Sequence, residues 1–493
     1  MKIIKAVYSI RIMISKKKIW VLLCILISSQ FYAQETSIVK TALGEKLERE
    51  FSPYLIQFSK VNDLPGVVVG VTKNGQLIYA KALGYRNVDT GRKMELNSVF
   101  HMASISKLFV ATAILQLVEQ GELDLDDPIV KHLPYFKLND DRYRRITIAH
   151  VLSHVSGLPD VEDYEWENPQ YSDAAAENYV KSISGLKLNA DPGETFAYSN
   201  LAFDILGDLI AKTSGMSFEE YQNKFVFEPL GMHNSTFLKD DSIPATWAYP
   251  HIRYTHNKLA KVYPYNRKHA PSSTLHSNLV DMTRWAVASI NKGALDEERV
   301  LEKASYDLMW EQKQTLRKNR HVGLSWFMSD FEGYKKYGHS GSDIGFTTNF
   351  DIIPEKRLGI IVFSNTSGVD VKAITNRAFE TIFGLEHQTY KKNAFLQITE
   401  TFNSQGLEKA IDQWHELKEN HAEEYDFEPN TALCLFDAMQ WNEVEEARKL
   451  SLLVKSIFPA EVHEVVVSIA ENHIRESSAD DAAIAIVEIF KKD

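Results

Sequence analysis

Ser104-Ile105-Ser106-Lys107-Leu108-Phe109-Val110-Ala111-Thr112-Ala113-Ile114-Leu115-Gln116-Leu117-Val118-Glu119-Gln120 is the run on which the reading of this chain turns. Leu108, Ala111, Leu115 and Val118 recur at helical spacing, and Phe109, Ala113, Ile114 and Leu117 make most of the other faces apolar. A helix apolar nearly all round belongs inside a domain, and Gly121 stands where such a helix stops. Ser104 thus opens a buried helix just after a loop, where backbone N–H groups lack partners and the dipole favours negative charge on Oγ. Lys107, three residues on, shares its face. A lysine in an apolar site resists protonation and can act as a base toward serine. The plain alternative is an N-cap serine followed by a lysine with its stem along the helix. Spacing alone does not separate the two, because Ser-x-x-Lys also occurs at Ser15, Ser37, Ser184 and Ser289.

On the N-terminal side, Gly66–Thr72 and Leu77–Leu83 are β-rich runs joined through Asn74-Gly75, whose positive φ angles suit a tight antiparallel hairpin. Residues 122–330 carry further helical patterns, notably Asn200–Thr213 and Ser277–Asn291. Strand character returns at Tyr334–Gly341, Thr347–Ile353 and Leu358–Ser364, the last two turned by Pro354-Glu355-Lys356-Arg357. Strands at both ends around a helical middle predict an α+β fold: one antiparallel sheet from the N- and C-terminal strands, flanked by helices, plus an all-helical lobe.

After Gly384 the pattern is all-helical. Leu407-Glu408-Lys409-Ala410, Glu445-Glu446-Ala447 and Asp480-Asp481-Ala482 recur at a separation near that of tetratricopeptide helix pairs. An irregular helical appendage is the competing reading, since most signature positions are missing. The expected division is a signal segment over 1–33, a catalytic domain over 36–385 and a helical domain over 390–493.

Lys16-Lys17-Lys18, the apolar run Ile19–Ile27 and small or polar residues to Ala33 have the layout of an export signal. The run is shorter than the ~20 apolar residues a membrane span needs. A periplasmic or secreted protein with no membrane span in the mature chain is therefore expected. Without that segment the chain keeps 49 basic and 66 acidic residues, a poor partner for nucleic acid. Cys24 lies in the signal, so the mature chain keeps only Cys434 and forms no internal disulfide.

Two further stretches offer chemistry. Tyr198-Ser199-Asn200 follows the turn Asp191-Pro192-Gly193 and precedes an apolar helix. A phenol there can relay a proton if a nearby cation lowers its pKa, and Asn200 can orient the lysine or a substrate amide. A capping Ser199 or Asn200 beside a packed tyrosine is the alternative, and Tyr-x-Asn recurs at Tyr85 and Tyr221. His339-Ser340-Gly341 occurs once, on a predicted strand. Gly341 would let a substrate backbone lie close, and the N–H groups of Ser342 and Ser104 could form an oxyanion hole. The alternative is a glycine kink beside a surface histidine.

Ser104-x-x-Lys107, Tyr198-x-Asn200 and His339-Ser340-Gly341, in that order, resemble the class C β-lactamase family with its DD-peptidase and esterase relatives. The flanks Leu125-Asp126-Asp127-Pro128, His154-Val155-Ser156-Gly157-Leu158-Pro159, Pro229-Leu230-Gly231-Met232 and Gly338-His339-Ser340-Gly341-Ser342-Asp343-Ile344-Gly345-Phe346 look like the same family. The resemblance covers roughly residues 40–385. It implies a cleft between sheet and helical lobe, with Ser104 acylated, Lys107 and Tyr198 handling protons and water releasing the acyl group. It implies no metal or organic cofactor. His339 stands where the class C enzymes usually carry lysine. A histidine is mostly neutral at pH 7, which weakens carboxylate recognition and points toward the esterase and peptidase relatives.

Competing motifs fit less well. Gly338-His339-Ser340-Gly341-Ser342 nearly spells an α/β-hydrolase nucleophile elbow, but strand pattern follows it where a helix should. His150 and His154 have zinc-helix spacing, with Val151 where the glutamate is needed. The expectation is an exported serine hydrolase acting on esters, D-amino-acid peptides or β-lactams, that is, on a small molecule or peptide. A protein partner for the helical region is the further expectation, and a catalytically silent binding protein the alternative.

Overall fold

The computed structural model describes residues 38–253, 257–317, 319–387, 391–437, 444–476 and 481–491. The expected signal segment, with Cys24, lies outside them. Among the described residues no helix is long and apolar enough to cross a membrane.

The main sheet has nine strands. They are β1 (Gly66–Lys73), β2 (Gln76–Asn87), β3 (Arg92–Lys93), β4 (Gln314–Arg317), β5 (Arg320–Val322), β6 (Phe327–Phe331), β7 (Tyr334–Asp343), β8 (Phe346–Ile353) and β9 (Leu358–Ser364). Their order is β4-β5-β6-β7-β8-β9-β1-β2-β3, so the N- and C-terminal strand runs meet where β9 pairs with β1. Every pairing is antiparallel. The β1–β2 turn has Asn74 at φ 53° and Gly75 at φ 83°, the backbone that the Asn-Gly pair was expected to supply. The sheet is wider than the sequence pattern indicated: β4, β5 and β6 fall in a stretch expected to be helical. Their short, half-exposed runs lack the apolar alternation that marks a strand.

Helices cover both faces. The principal ones are α1 (Ser52–Val61), α2 (Ser106–Glu119), α3 (Asn200–Ser214), α4 (Leu279–Ile290) and α5 (Val371–Phe383). Val67, Val69 and Val71 of β1 with Ile360 and Val362 of β9 pack on α1 and α5. Val68 and the neighbouring Ile361 and Phe363 pack on the opposite side with α2, α3 and α4. Alternation along β1 therefore assigns each residue to one of two cores. Gly70 lies on the α2 and α4 side, where a Cβ would come within 2.3 Å of Leu279 Cδ1. That contact brings α4 down onto the sheet.

Beyond Gly384 run α6 (Ala394–Gln405), α7 (Leu407–Asn420), α8 (Asn430–Asp437), α9 (Val444–Ile457), α10 (Ala460–Glu476) and α11 (Asp481–Lys491). Ala410, Ala447 and Ala482 of the recurring motifs lie near the starts of α7, α9 and α11 and are fully buried. Helix lengths from 8 to 17 residues give no regular repeat. This helical lobe has its own core around Trp414, Leu450 and Val466, and that core takes in Ile252, with Ala260 and Ile344 packed at its margin. Lys258 Nζ reaches Glu446 Oε1 at 3.0 Å across the same junction.

Candidate active site

Ser104 lies in a 3₁₀ turn, Ala103–Ile105, that runs directly into α2. Ala103, Ile105, Ser106 and Lys107 are fully buried, whereas Ser104 keeps part of its surface open. Ala103 holds φ 50°, an uncommon backbone for a residue with a Cβ. The turn is fastened by Ser106, whose Oγ donates to Ala103 O (2.7 Å) and accepts from Leu275 N–H (2.9 Å).

Lys107 Nζ lies 3.1 Å from Ser104 Oγ, 2.6 Å from Asn200 Oδ1 and 2.7 Å from Ser272 O. Burial pushes its amine down to about 8, partly offset by the carboxylates of Asp204, Asp160 and Asp343. This geometry decides what the neutral amine does. Its two hydrogens are taken by Asn200 Oδ1 and Ser272 O, which leaves the lone pair for the Ser104 hydroxyl.

The Tyr198-Ser199-Asn200 stretch divides its work. Ser199 Oγ caps α3, accepting from Ala202 N–H at 3.1 Å. Asn200 Nδ2 and its own N–H donate to Asp160 (3.1 and 2.6 Å), which turns Oδ1 toward Lys107. Asn200 therefore orients the lysine. The Tyr198 phenol faces the Ser104 side chain, and Lys107 Nζ lies 5.0 Å from its ring centroid. The expectation of a lowered phenol pKa is corrected: desolvation dominates and holds the phenol well above its ordinary value. Tyr198 thus stays protonated, a donor at rest.

His339, Gly341 and Ser342 lie on β7, whose pairing with β6 stops at Gly338 and leaves the strand's outer edge open from His339 onward. His339 shares a register row with Phe350, Ile361 and Gly70, on the α2 side of the sheet. Its Nδ1–H donates to Ser340 O (2.6 Å), and burial followed by the charge of Lys107 pushes the ring down to about 3. His339 is therefore a neutral imidazole and offers no cation. The surface-histidine reading does not hold, because the ring is only 5% exposed. Gly341 is corrected as well. A Cβ there would sit 2.4 Å from Met102 O and 2.9 Å from Ala103 Cβ, so the missing side chain seats the nucleophile turn against the strand. Ser342 is exposed at the tip, opposite Thr347.

The other sequence readings resolve locally. Ser340 lies in a continuous strand on the α5 side, with no elbow. His150 caps the helix Ile148–Leu152, and His154 stacks on Tyr198 with centroids 4.3 Å apart and planes at 22°. His154 is a site residue whose role the zinc reading missed; desolvation holds it well below its ordinary pKa, hence neutral. Asp160, Asp204, Asp343 and Ser272 were also missed. Asp343 accepts from His101 Nε2 (2.7 Å) and Ser273 Oγ, and Asp204 accepts from Ser272 N–H (3.2 Å), so these acids hold the loop that presents Ser272 O to Lys107.

A family model described as beta-lactamase matches residues 53–382. The chain belongs to the beta-lactamase family. This is a family of serine hydrolases that includes penicillin-binding proteins. Among its relatives is Protein flp of Staphylococcus aureus (strain MRSA252), 26% identical over 343 residues, which are 69% of this chain and 67% of that protein. Penicillin-binding protein 4 of Amycolatopsis lactamdurans is 27% identical over 65% of this chain and 85% of its own length. The octameric penicillin-binding protein homologue from Pyrococcus abyssi superposes with a TM-score of 0.62 at 27% identity, over 74% of this chain and 82% of that one. EstCE1, a hydrolase with promiscuous acyltransferase activity, shares the fold, with a TM-score of 0.59 at 20% identity over 70% of this chain and all of its own. The matched stretch of this beta-lactamase-family chain contains every site residue described above and stops at the helical lobe.

Proposed function

We propose that the protein is an exported acyl hydrolase that cleaves esters through a Ser104 acyl-enzyme. The observation that carries this reading is the Lys107 amine, buried, its pKa pushed down to about 8 so that the neutral form is within reach near neutral pH, and aimed at a partly exposed serine hydroxyl. In the first step the Ser104 proton passes to neutral Lys107 as Oγ bonds the substrate carbonyl carbon. The oxyanion falls between the N–H groups of Ser104 and Ser342, a type of stabilisation that contributes about 3 kcal/mol. Tyr198, kept protonated, donates to the departing alkoxide and recovers a proton from Lys107 through the Ser104 site. Water then attacks the ester carbonyl, its proton returning by the same route, and Ser104 is released with the acid.

The neutral His339 favours esters over β-lactams, because no ammonium stands at that position to meet a lactam carboxylate. A turnover panel checks this: a short-chain nitrophenyl ester, a D-Ala-D-Ala peptide and a chromogenic cephalosporin. The ester is expected to turn over fastest. Dominant cephalosporin turnover contradicts the role given to His339, and failure of all three together with no fluorophosphonate adduct leaves a binding protein.

Seating of the nucleophile turn on β7 has its own test. Gly341→Ala is expected to push the two apart and lower kcat about 10²-fold, the usual cost of an ångström-scale misplacement. Stability is expected to fall by roughly 1–3 kcal/mol from overpacking. Steady-state kinetics and thermal unfolding of the variant measure both, and unchanged kcat contradicts the seating role.

A further inference from the structure

Behind the Lys107 amine stands a second pair of polar side chains, closed off from solvent. Asp204 lies one turn beyond Asn200 on the same face of α3. Its Oδ2 accepts from His269 Nδ1–H at 2.7 Å and its Oδ1 from Ser272 N–H at 3.2 Å. Both side chains of the couple are fully buried. His269 precedes the short helix Ala270–Ser273, and Ser272 Oγ donates back to His269 O at 3.3 Å. That helix is pressed onto α3, because a Cβ on Gly207 would come within 2.0 Å of Pro271 Cγ. The rings of Tyr164, Tyr179 and Trp166 enclose the imidazole, with centroids 4.9, 4.9 and 5.8 Å away. Its Nε2 has no hydrogen-bond partner among the described residues, so the ring's polar contact is the one with Asp204. A series of hydrogen bonds thus runs from His269 through Asp204 and Ser272 to Lys107 Nζ, which donates to Ser272 O at 2.7 Å. Asp204 is also foremost among the carboxylates that hold charge on the buried amine, ahead of Asp160 and Asp343. The other titratable groups around Lys107 are the Tyr198 phenol and the neutral rings of His154 and His339.

We propose that Asp204 and His269 are positioning residues: the imidazole holds the carboxylate, and the carboxylate both seats Ser272 O on Lys107 and governs the pH at which that amine becomes a base. For its kinetic readout the inference rests on the acyl-hydrolase reading.

Asp204→Asn separates the charge from the seat. The carboxamide has the same shape, its Oδ1 can still accept from Ser272 N–H, and its Nδ2–H can donate to His269 Nδ1 in the other tautomer. With the charge gone, burial acts on Lys107 less opposed. The rising limb of kcat/KM against pH is expected to move about one unit or more below its wild-type midpoint, the scale on which one nearby opposite charge acts. The plateau should fall, because a weaker base takes the Ser104 proton less well. His269→Leu should lower kcat about 10–100-fold with KM within about twofold, as the seat of Lys107 shifts. His269→Asn, whose amide N–H stands close to the place of Nδ1–H, should recover most of that loss. A midpoint that stays or rises in Asp204→Asn overturns the electrostatic role, and equal losses in the two His269 variants overturn the seating role.

A second readout needs no turnover. A buried lysine binds fewer protons than the same lysine in the unfolded chain, so folding of the full chain strengthens as pH rises from about 8 toward the ordinary lysine value. In Asp204→Asn the lower edge of that window is expected to move down as far as the kinetic midpoint does, as read by denaturant titrations across pH. That movement without ester turnover supports the couple while the acyl-hydrolase reading fails. Identical windows in the two proteins overturn the couple whether or not esters turn over.

Discussion

Ser104→Ala is expected to keep the fold and lose ester turnover by about 10⁴–10⁶-fold, the scale on which removal of a serine nucleophile is felt. The fold should survive because Ser104 is the partly open position in a buried turn, and Ser106, which ties that turn to Ala103 and Leu275, is left intact. Removal of Oγ also frees the space in front of Lys107 for water, so the amine keeps a partner. The adduct with a fluorophosphonate probe should vanish with activity, while the thermal unfolding midpoint stays within a few degrees. Labelling that persists in the variant would acquit Ser104 and move the search to another nucleophile.

Lys107→Met is expected to lower kcat/KM about 10³-fold or more, at the upper range for loss of a general base. Methionine fills the stem but leaves Asn200 Oδ1 and Ser272 O without their donor, and nothing takes the Ser104 proton. The pH profile gives a sharper signature. Only the neutral amine can accept, so wild-type kcat/KM should rise with pH to a plateau with a midpoint near the value of about 8 set by burial. In Lys107→Met that limb should disappear. Stability carries the same sign. Between about 8 and the ordinary lysine value the unfolded chain binds more protons than the folded one, so folding should strengthen as pH rises through that window. Below it, the folded state bears the full penalty of a buried ammonium. Denaturant titrations across the window, with the methionine variant as the flat reference, check this second effect.

Much of the fold could be read from local chemistry. Asn74-Gly75 dictates a turn that few other pairs adopt, and the apolar runs around it alternate between two cores. The helices α3 and α4 follow from their 3.6-residue periodicity, and α2 from an unbroken apolar run too long for a buried strand. The strands β4 to β6 could not be read, since Gln314-Thr315-Leu316-Arg317 and Arg320-His321-Val322 are short, half-exposed segments at the outer end of the sheet, paired with each other and with β6. The site shows the same division. Ser104, Lys107, Tyr198 and Asn200 are visible because their side chains carry the chemistry and two helix starts position them. Ser272 contributes a backbone carbonyl, which leaves no trace in a sequence. Asp160, Asp204 and Asp343 matter only because distant segments bring them around one amine, and His154 is legible as a site residue only once Tyr198 is seen lying on it.

The helical lobe is bonded to the part of the sheet that the chemistry uses. Ile344, at the margin of the lobe's apolar core, follows Asp343 and Ser342 at the tip where β7 turns into β8. A chain stripped of these helices would present Ile252 and Ile344 bare to water beside its own catalytic cleft. The lobe's apolar core thus ends two residues from the Ser342 amide assigned to the oxyanion.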